Sequence, residues 1–490
     1  MTKFLPALLG ATLLAGCNLA PTYVRPVGAI PAAVPQGGPY PAASVEAADV
    51  TAIGWRDFFT DPSLRAVIAA GLENNRDLRL AAANVLQARA QYRIQRADRL
   101  PTVAANAGVT VTNNAFGAGG GAVPGAGTGT GAGGVPGGGA GAVGGTTGTL
   151  EIYSANVGVS AFEIDLFGRV RNLSRAALEQ YFATEEAQRA TRIALIAEIA
   201  SAYLTLASDQ DQLALSRDVL NSFRQSLELT RAQFRVGTSS ELEVRQADTV
   251  FQQARGDIAA LESRIAQDRN ALDLLVGAPV APALLPRGLG ARDYTLPNLP
   301  ANLSSEVLLR RPDVLQAERQ LRAQNANIGA ARAAMFPTIS LTATLGLIST
   351  SLGSLFGSGS DTFNIAPSVA LPLFDAGRRR GNVRLAEAQQ LGAVATYERT
   401  LQVAFREVAD ALATRGTITE QVAARTARAD SASAAARLSD ARYRAGVDSF
   451  LGTLDSQRTA YAARQDLVTV RLARVNNLVT LYRSLGGGLN

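Results

Sequence analysis

The sequence predicts an α+β membrane protein: short strands for a β-barrel wall, joined to long α-helical coiled coils and built by internal duplication. Three observations carry that prediction. Motifs recur in one order at steady offsets. Four segments alternate apolar and polar residues with almost no charge. Two long runs, Gly168 to Val236 and Gly377 to Ala445, contain no proline and are rich in helix formers.

The duplication orders everything else. Asn75-Arg76-Asp77-Leu78 matches Arg311-Pro312-Asp313-Val314, 236 positions on. Leu100-Pro101-Thr102-Val103 matches Phe336-Pro337-Thr338-Ile339 at the same 236. Later pairs align on glycine at 209. Leu166-Phe167-Gly168-Arg169 answers Phe374-Asp375-Ala376-Gly377-Arg378, and Phe234-Arg235-Val236-Gly237 answers Tyr443-Arg444-Ala445-Gly446. Val276-Gly277 answers Leu485-Gly486. The first half thus carries 236 − 209 = 27 extra residues, matched by a Gly-rich run from about Ala115 to Gly148. The expected layout is a signal at 1–16, a tether and equatorial segment at 17–60 and a first repeat at 61–277. A linker at 278–303, a second repeat at 304–486 and a tail at 487–490 complete it.

Strands are expected at about 102–113, 150–163, 338–348 and 362–374. Ile339, Leu341, Ala343, Leu345 and Leu347 fall on one face, with Thr338, Ser340, Thr342, Thr344 and Gly346 on the other. Such alternation suits a strand with one face to lipid and one to a lumen. A soluble antiparallel sheet alternates in the same way. The leader described below and the scarcity of charge favour the membrane. Four strands cannot close a barrel, and an open edge cannot sit in hydrocarbon. Spanning strands therefore require several copies.

Each proline-free run allows a helix of about 100 Å at 1.5 Å per residue. Shorter partners follow at Glu241 to Val276 and Phe450 to Leu485. Val250, Ala254, Leu261, Ile265, Leu272 and Leu275 step by threes, fours and sevens, as do Val468, Leu472, Val475, Val479 and Tyr482. Gly237 suits a left-handed helix end. Ser240 with Glu243 forms a capping box for the next helix. Gly446 with Asp448 and Ser449 is expected to repeat that turn, so both tips should lie at one level.

The N-terminus reads as an address. Lys3 precedes an apolar core from Leu5 to Ala15, then Leu14-Ala15-Gly16-Cys17. Small residues before cysteine resemble a bacterial lipobox, which implies cleavage before Cys17 and lipid on its thiol and amino group. Asn18 points to the outer membrane.

Composition excludes other classes. There is no histidine, and Cys17 and Lys3 are the single cysteine and lysine. No disulfide within the chain is possible, and no carboxylate set has metal-ligand spacing. The expectation is no enzyme, no metal and no cofactor beyond the covalent lipid on Cys17. No basic tract with interleaved aromatics is present, so nucleic acid is not an expected partner. No apolar stretch beyond the N-terminus reads as a membrane helix of roughly 18–20 residues.

The lipobox, the paired helix starts, Leu-Phe-Gly-Arg and Leu-Phe-Asp-Ala-Gly-Arg, and the twin turns resemble the TolC-type outer-membrane efflux family. The acylated branch serving resistance–nodulation–division pumps fits best. The resemblance implies a homotrimer whose twelve strands form one barrel over a periplasmic helical tunnel. It implies an exit duct of a tripartite drug or toxic-compound pump, with a periplasmic adaptor and an inner-membrane transporter as partners. An outlet for type I protein secretion is the alternative. The tips meeting the adaptor would be Arg235, Val236, Gly237 and Thr238, with Arg444, Ala445, Gly446 and Val447. The periplasmic gate would use Asp455, aided by Tyr443, Asp448, Phe450 and Leu451. Gly452 stands where some relatives hold a second gate aspartate. Arg378, Arg379 and Arg380 suit either lipid head groups or a solvated helix start. The Gly-rich insertion is expected outside the cell, tolerant of deletion over 117–148.

Overall fold

The computed structural model describes residues 18–41, 53–112, 149–290, 294–296 and 304–487. It divides into a strand-bearing unit (1–22, 91–177 and 324–388) and a helical unit (23–90, 178–323 and 389–490). In chain order the first half gives α1 (Trp55–Phe58), α2 (Pro62–Asn74), α3 (Arg76–Ala97), β1 (Val103–Thr112) and β2 (Leu150–Glu163). Then follow α4 (Arg169–Arg235) and α5 (Glu241–Val276). The second half repeats the order with α6 (Pro312–Ala333), β3 (Thr338–Ser349), β4 (Asp361–Ala370), α7 (Arg378–Arg444) and α8 (Phe450–Ser484).

In the strand-bearing unit, one antiparallel sheet runs β1-β2-β3-β4. Its register puts like residues in rows. Ala105, Val157, Leu345 and Phe363 lie side by side on one face, as do Val103, Val159, Ala343 and Ile365. The opposite face carries Asn106, Asn156, Gly346 and Thr362, and Ala104, Gly158, Thr344 and Asn364. Val103, Leu345, Phe363, Ile365 and Val369 are each more than 60% exposed. An apolar face this bare calls for lipid or protein against it. Gly158 and Gly346 leave no room for a side chain: a Cβ would meet main chain of the adjacent strand at 2.3 and 2.4 Å.

Two expectations change here. The fourth strand stops at Ala370 rather than near 374, because Pro372 has no N–H to continue a ladder. β2 carries a bulge between Val159 and Phe162, with Ala161 in the left-handed region at φ 49°. The bulge explains a discrepancy between offsets. Val103 pairs with Val159 and Ile339 with Val369, so the second strands stand 369 − 159 = 210 positions apart. The glycines after them stand 209 apart. The additional residue of the first half is the bulged one.

The helical unit holds the large core. Trp55, Phe58, Phe59, Leu64, Ile68, Ile199, Tyr203, Tyr397 and Tyr482 are buried together. Phe58 stacks on Tyr482 with ring centroids 4.0 Å apart. Of the expected heptad positions, Val250, Ala254, Leu261, Ile265 and Leu272 are buried and Leu275 half-buried in α5, while in α8 Val479 and Tyr482 are buried and Val468, Leu472 and Val475 half-buried. One stretch of α4 is, against expectation, long and apolar enough by composition to cross a membrane. Over half of that stretch is buried, and α4 supplies Ile196, Ile199 and Tyr203 to the core. Packing accounts for its apolarity.

Candidate functional site

The two hairpin tips end their helices by one device. Thr238 N donates to Gln233 O at 2.9 Å and Gly237 N to Phe234 O at 3.0 Å. Val447 N donates to Arg442 O and Gly446 N to Tyr443 O, each at 2.9 Å. Gly237 and Gly446 sit at φ 78° and 73°, the left-handed geometry that lets these bonds close. Arg235, Val236, Gly237 and Thr238 are all exposed, as are Arg444, Ala445, Gly446 and Val447. Val236 and Val447 are 74% and 63% exposed, apolar side chains open to a partner. The tips also touch: Tyr443 Oη–H donates to Gln233 Oε1.

They differ in how the next helix begins. Ser240 and Glu243 form the full capping box, each side chain bonded to the other's backbone. Ser449 makes no side-chain cap bond, so the expected repetition is incomplete. Asp448 is instead held by Arg442 through bonds of 2.7 and 2.9 Å. These bonds keep the Asp448 carboxyl below the usual carboxylate range and push the Arg442 guanidinium up.

The remaining gate candidates separate by exposure. Asp455 and Leu451 are exposed. Phe450 is 1% exposed and packs with Leu454, Tyr461, Phe223 and Leu227. In this conformation Phe450 belongs to the hairpin core, because the first turn of α8 points it inward. Tyr443 is half-buried, its ring 5.5 Å from that of Phe450. Burial pushes its hydroxyl above the ordinary tyrosine range.

Sequence reading missed a buried cluster near the N-terminus. Glu318 on α6 is 3% exposed and receives Arg25 at 2.8 Å, Arg322 at 2.6 Å and Tyr23 Oη–H at 3.2 Å. Burial opposes its charge, but the bonds from Arg322 and Arg25 outweigh that and hold it below the ordinary glutamate range. Burial, then Glu318, pushes the Tyr23 hydroxyl up to about 12. In the strand-bearing unit Asn325 Nδ2 donates to Pro21 O at 2.7 Å. A Cβ on Gly329 would strike Ala20 backbone at 2.8 Å. The segment after Cys17 is thus seated on α6 by named contacts. No periodicity marks such a site.

Cys17, the signal and the insertion over 117–148 lie outside the described residues. Of the three arginines opening α7, Arg379 is committed: it donates to Met335 O at 3.3 Å and lies 3.7 Å from Asp375. Arg378 and Arg380 are exposed. Among the described residues no group of three or more His, Cys, Asp or Glu could hold a metal ion.

Residues 67–278 and 303–487 match the family model described as outer membrane efflux protein. The chain is 43% identical over 487 residues to the solvent efflux pump outer membrane protein SrpC of Pseudomonas putida, covering 99% of this chain and 98% of that one. A crystal structure of a membrane protein from Pseudomonas aeruginosa superposes with TM-score 0.84 at 37% identity, covering 96% of this chain and 100% of the other. The open state of the MtrE outer membrane channel of Neisseria gonorrhoeae gives TM-score 0.82 at 34% identity, covering 97% and 99%.

Proposed function

The chain belongs to the outer membrane efflux protein family and is an outer-membrane efflux channel rather than an enzyme; from that premise we propose that three copies close one barrel and one helical duct. The observation that carries this reading is a four-stranded sheet with an exposed apolar face and, among the described residues, both outer edges unpaired. In lipid such edges leave main-chain donors and acceptors without water or partners. Closure by further copies removes them. An outer-membrane fraction run unboiled in detergent tests it: a heat-sensitive band of trimer size is expected. A monomer band before heating would refute the proposal.

Such a duct conducts passively what an inner-membrane transporter and a periplasmic adaptor deliver. We assign adaptor contact to the two exposed tips and gating to Asp455. Three Asp455 carboxylates near a common axis would repel anions and attract cations. Asp455→Ala should raise single-channel conductance in planar bilayers, and unchanged conductance would count against the gate. The relatives' names speak of solvents, toluene and antibiotics. For this chain the proposed cargo class is likewise small apolar or amphiphilic toxic compounds. Deletion of its gene should sensitise cells to such compounds, and unaltered tolerance would argue for another cargo.

Lipid on Cys17 has an internal check. Lys3 is the single lysine and precedes Cys17, so a chain cut before Cys17 and acylated there holds no primary amine. An amine-reactive dye should leave the purified protein unlabelled. Labelling at the amino terminus would exclude N-acylation.

A further inference from the structure

The two free edges of the sheet have a definite polarity. Ile164 N donates to Ile339 O, and Ile348 N to Ser360 O. Main-chain groups alternate in direction along a strand. Odd-numbered residues of β3 therefore face β2, and even-numbered ones face β4. Opposite the latter stand Ser368, Ala366 and Asn364, so Ile365, Pro367 and Val369 aim their main-chain groups outward. The same reasoning through β2 turns Ala105, Ala107, Val109 and Val111 of β1 outward.

The duplication says what fits these edges. β1 corresponds to β3 and β2 to β4, so the internal seam between β2 and β3 has a counterpart between β4 of one copy and β1 of the next. Resting on the multi-copy barrel proposed above, we infer that this seam copies the internal register. Val369, Pro367 and Ile365 of one copy then lie opposite Ala107, Val109 and Val111 of the next. The templates are Val159 with Ala343, Val157 with Leu345 and Ala155 with Leu347. Outward groups meet outward groups, and apolar faces meet apolar faces. A slip by one residue would carry every polar side chain of one copy to the apolar side. The competing registers are those two residues away.

Pro367 gives this seam a feature the internal one lacks. Its missing N–H lies on the free edge, opposite the Val109 carbonyl of the next copy. Proline in a sheet is tolerated at such edges, and a gap in the donor row blunts an edge against indiscriminate pairing. The seam between copies is therefore one main-chain bond short at its middle. It favours the intended neighbour by its side-chain rows more than by backbone alone.

Cysteine pairs read the register directly, because Cys17 is the single native cysteine. Ala366 and Thr110 fall at a pair without mutual main-chain bonds, where Cα atoms approach to about 4.5 Å, within disulfide reach. Oxidised A366C/T110C should yield cross-linked copies on reducing-agent-free gels after boiling. A366C/G108C and A366C/T112C, which report the shifted registers, should yield little. Preferential cross-linking by a shifted pair overturns the inference. So does failure of all three pairs in variants that still form heat-sensitive trimers. Loss of trimers from the unsubstituted chain would instead defeat the parent reading. As a second measurement, Pro367→Ala restores the donor and should raise the temperature at which the unboiled trimer dissociates. An unchanged or lower temperature contradicts the placement of Pro367 at the seam.

Discussion

Asn75 and Arg311 occupy one position in the two halves of the molecule, yet they hold the same joint by different chemistry. Asn75 Nδ2 donates to Leu275 O at 2.8 Å, and its Oδ1 accepts from Leu78 N at 2.8 Å. Arg311 Nη1 donates to Ser484 O at 2.6 Å, the carbonyl that stands where Leu275 stands in the first half. A neutral amide needs nothing more. The buried guanidinium needs counter-charge, which Asp313 and Glu407 supply at 2.7 and 2.8 Å. Duplication has preserved the joint while letting its electrostatics diverge.

The largest expected effect follows from that difference. Arg311→Ala leaves two carboxylates facing a cavity and should cost on the order of 3 kcal/mol, the lower end for breaking a buried pair. The lower end applies because Asp313 and Glu407 remain 38% and 30% exposed. Asn75→Ala loses a cap and one carbonyl bond, about 1–2 kcal/mol. Thermal unfolding in detergent would compare them. Equal losses would break the contrast between the halves.

A second divergence predicts a pH effect. Asp209 on α4 and Asp268 on α5 interact with each other, and one oxygen of each is buried without a hydrogen-bond partner. The corresponding positions of the second half hold Ile418 and Asn477. Burial, then the charge of Asp209, pushes Asp268 up to about 6. An acid raised in the folded state stabilises it below its unfolded value near 3.8 and loses that contribution as pH rises through about 6. Arg264, 3.7 Å from Asp209, only partly offsets the repulsion. Asp268→Asn, which imitates the second half, should leave stability at pH 4 nearly unchanged and raise it at pH 8. Melting curves across that range check it, and parallel curves for both proteins would refute the raised Asp268 carboxyl.

Much of this architecture is legible in the residue order, for a physical reason. Helices and strands have fixed periods, so the heptads of α5 announce a buried face and the alternation of β3 an apolar one locally. The glycine offset located both tips because a left-handed helix end needs glycine wherever it recurs. What stayed hidden depends on contacts remote in sequence. Glu318 is chosen by Tyr23 and Arg25, almost three hundred positions away. Phe450 entered the gate set through the family resemblance, and its packing with Leu454 and Tyr461 is visible only once the hairpin is folded. The bulge at Ala161 left a trace, a one-residue change of offset, that had no meaning until the strands were paired.

The smallest effect concerns the tips, where Glu243 in the first half corresponds to Gly452 in the second. Glu243 completes the capping box and fixes the start of α5. Gly452 supplies no side chain, so α8 begins with its first N–H groups less held. A Cβ there would meet nothing closer than Ser449 Oγ at 3.9 Å, which leaves room for a carboxylate. Gly452→Glu should therefore install the missing box, adding about 1 kcal/mol from the cap and the replaced glycine. Amide exchange at the start of α8 should slow toward that of α5, while trimer yield stays constant. If the second tip is the one that opens, the same variant should also lower efflux. Slowed exchange with undiminished efflux would mean that opening does not involve the start of α8.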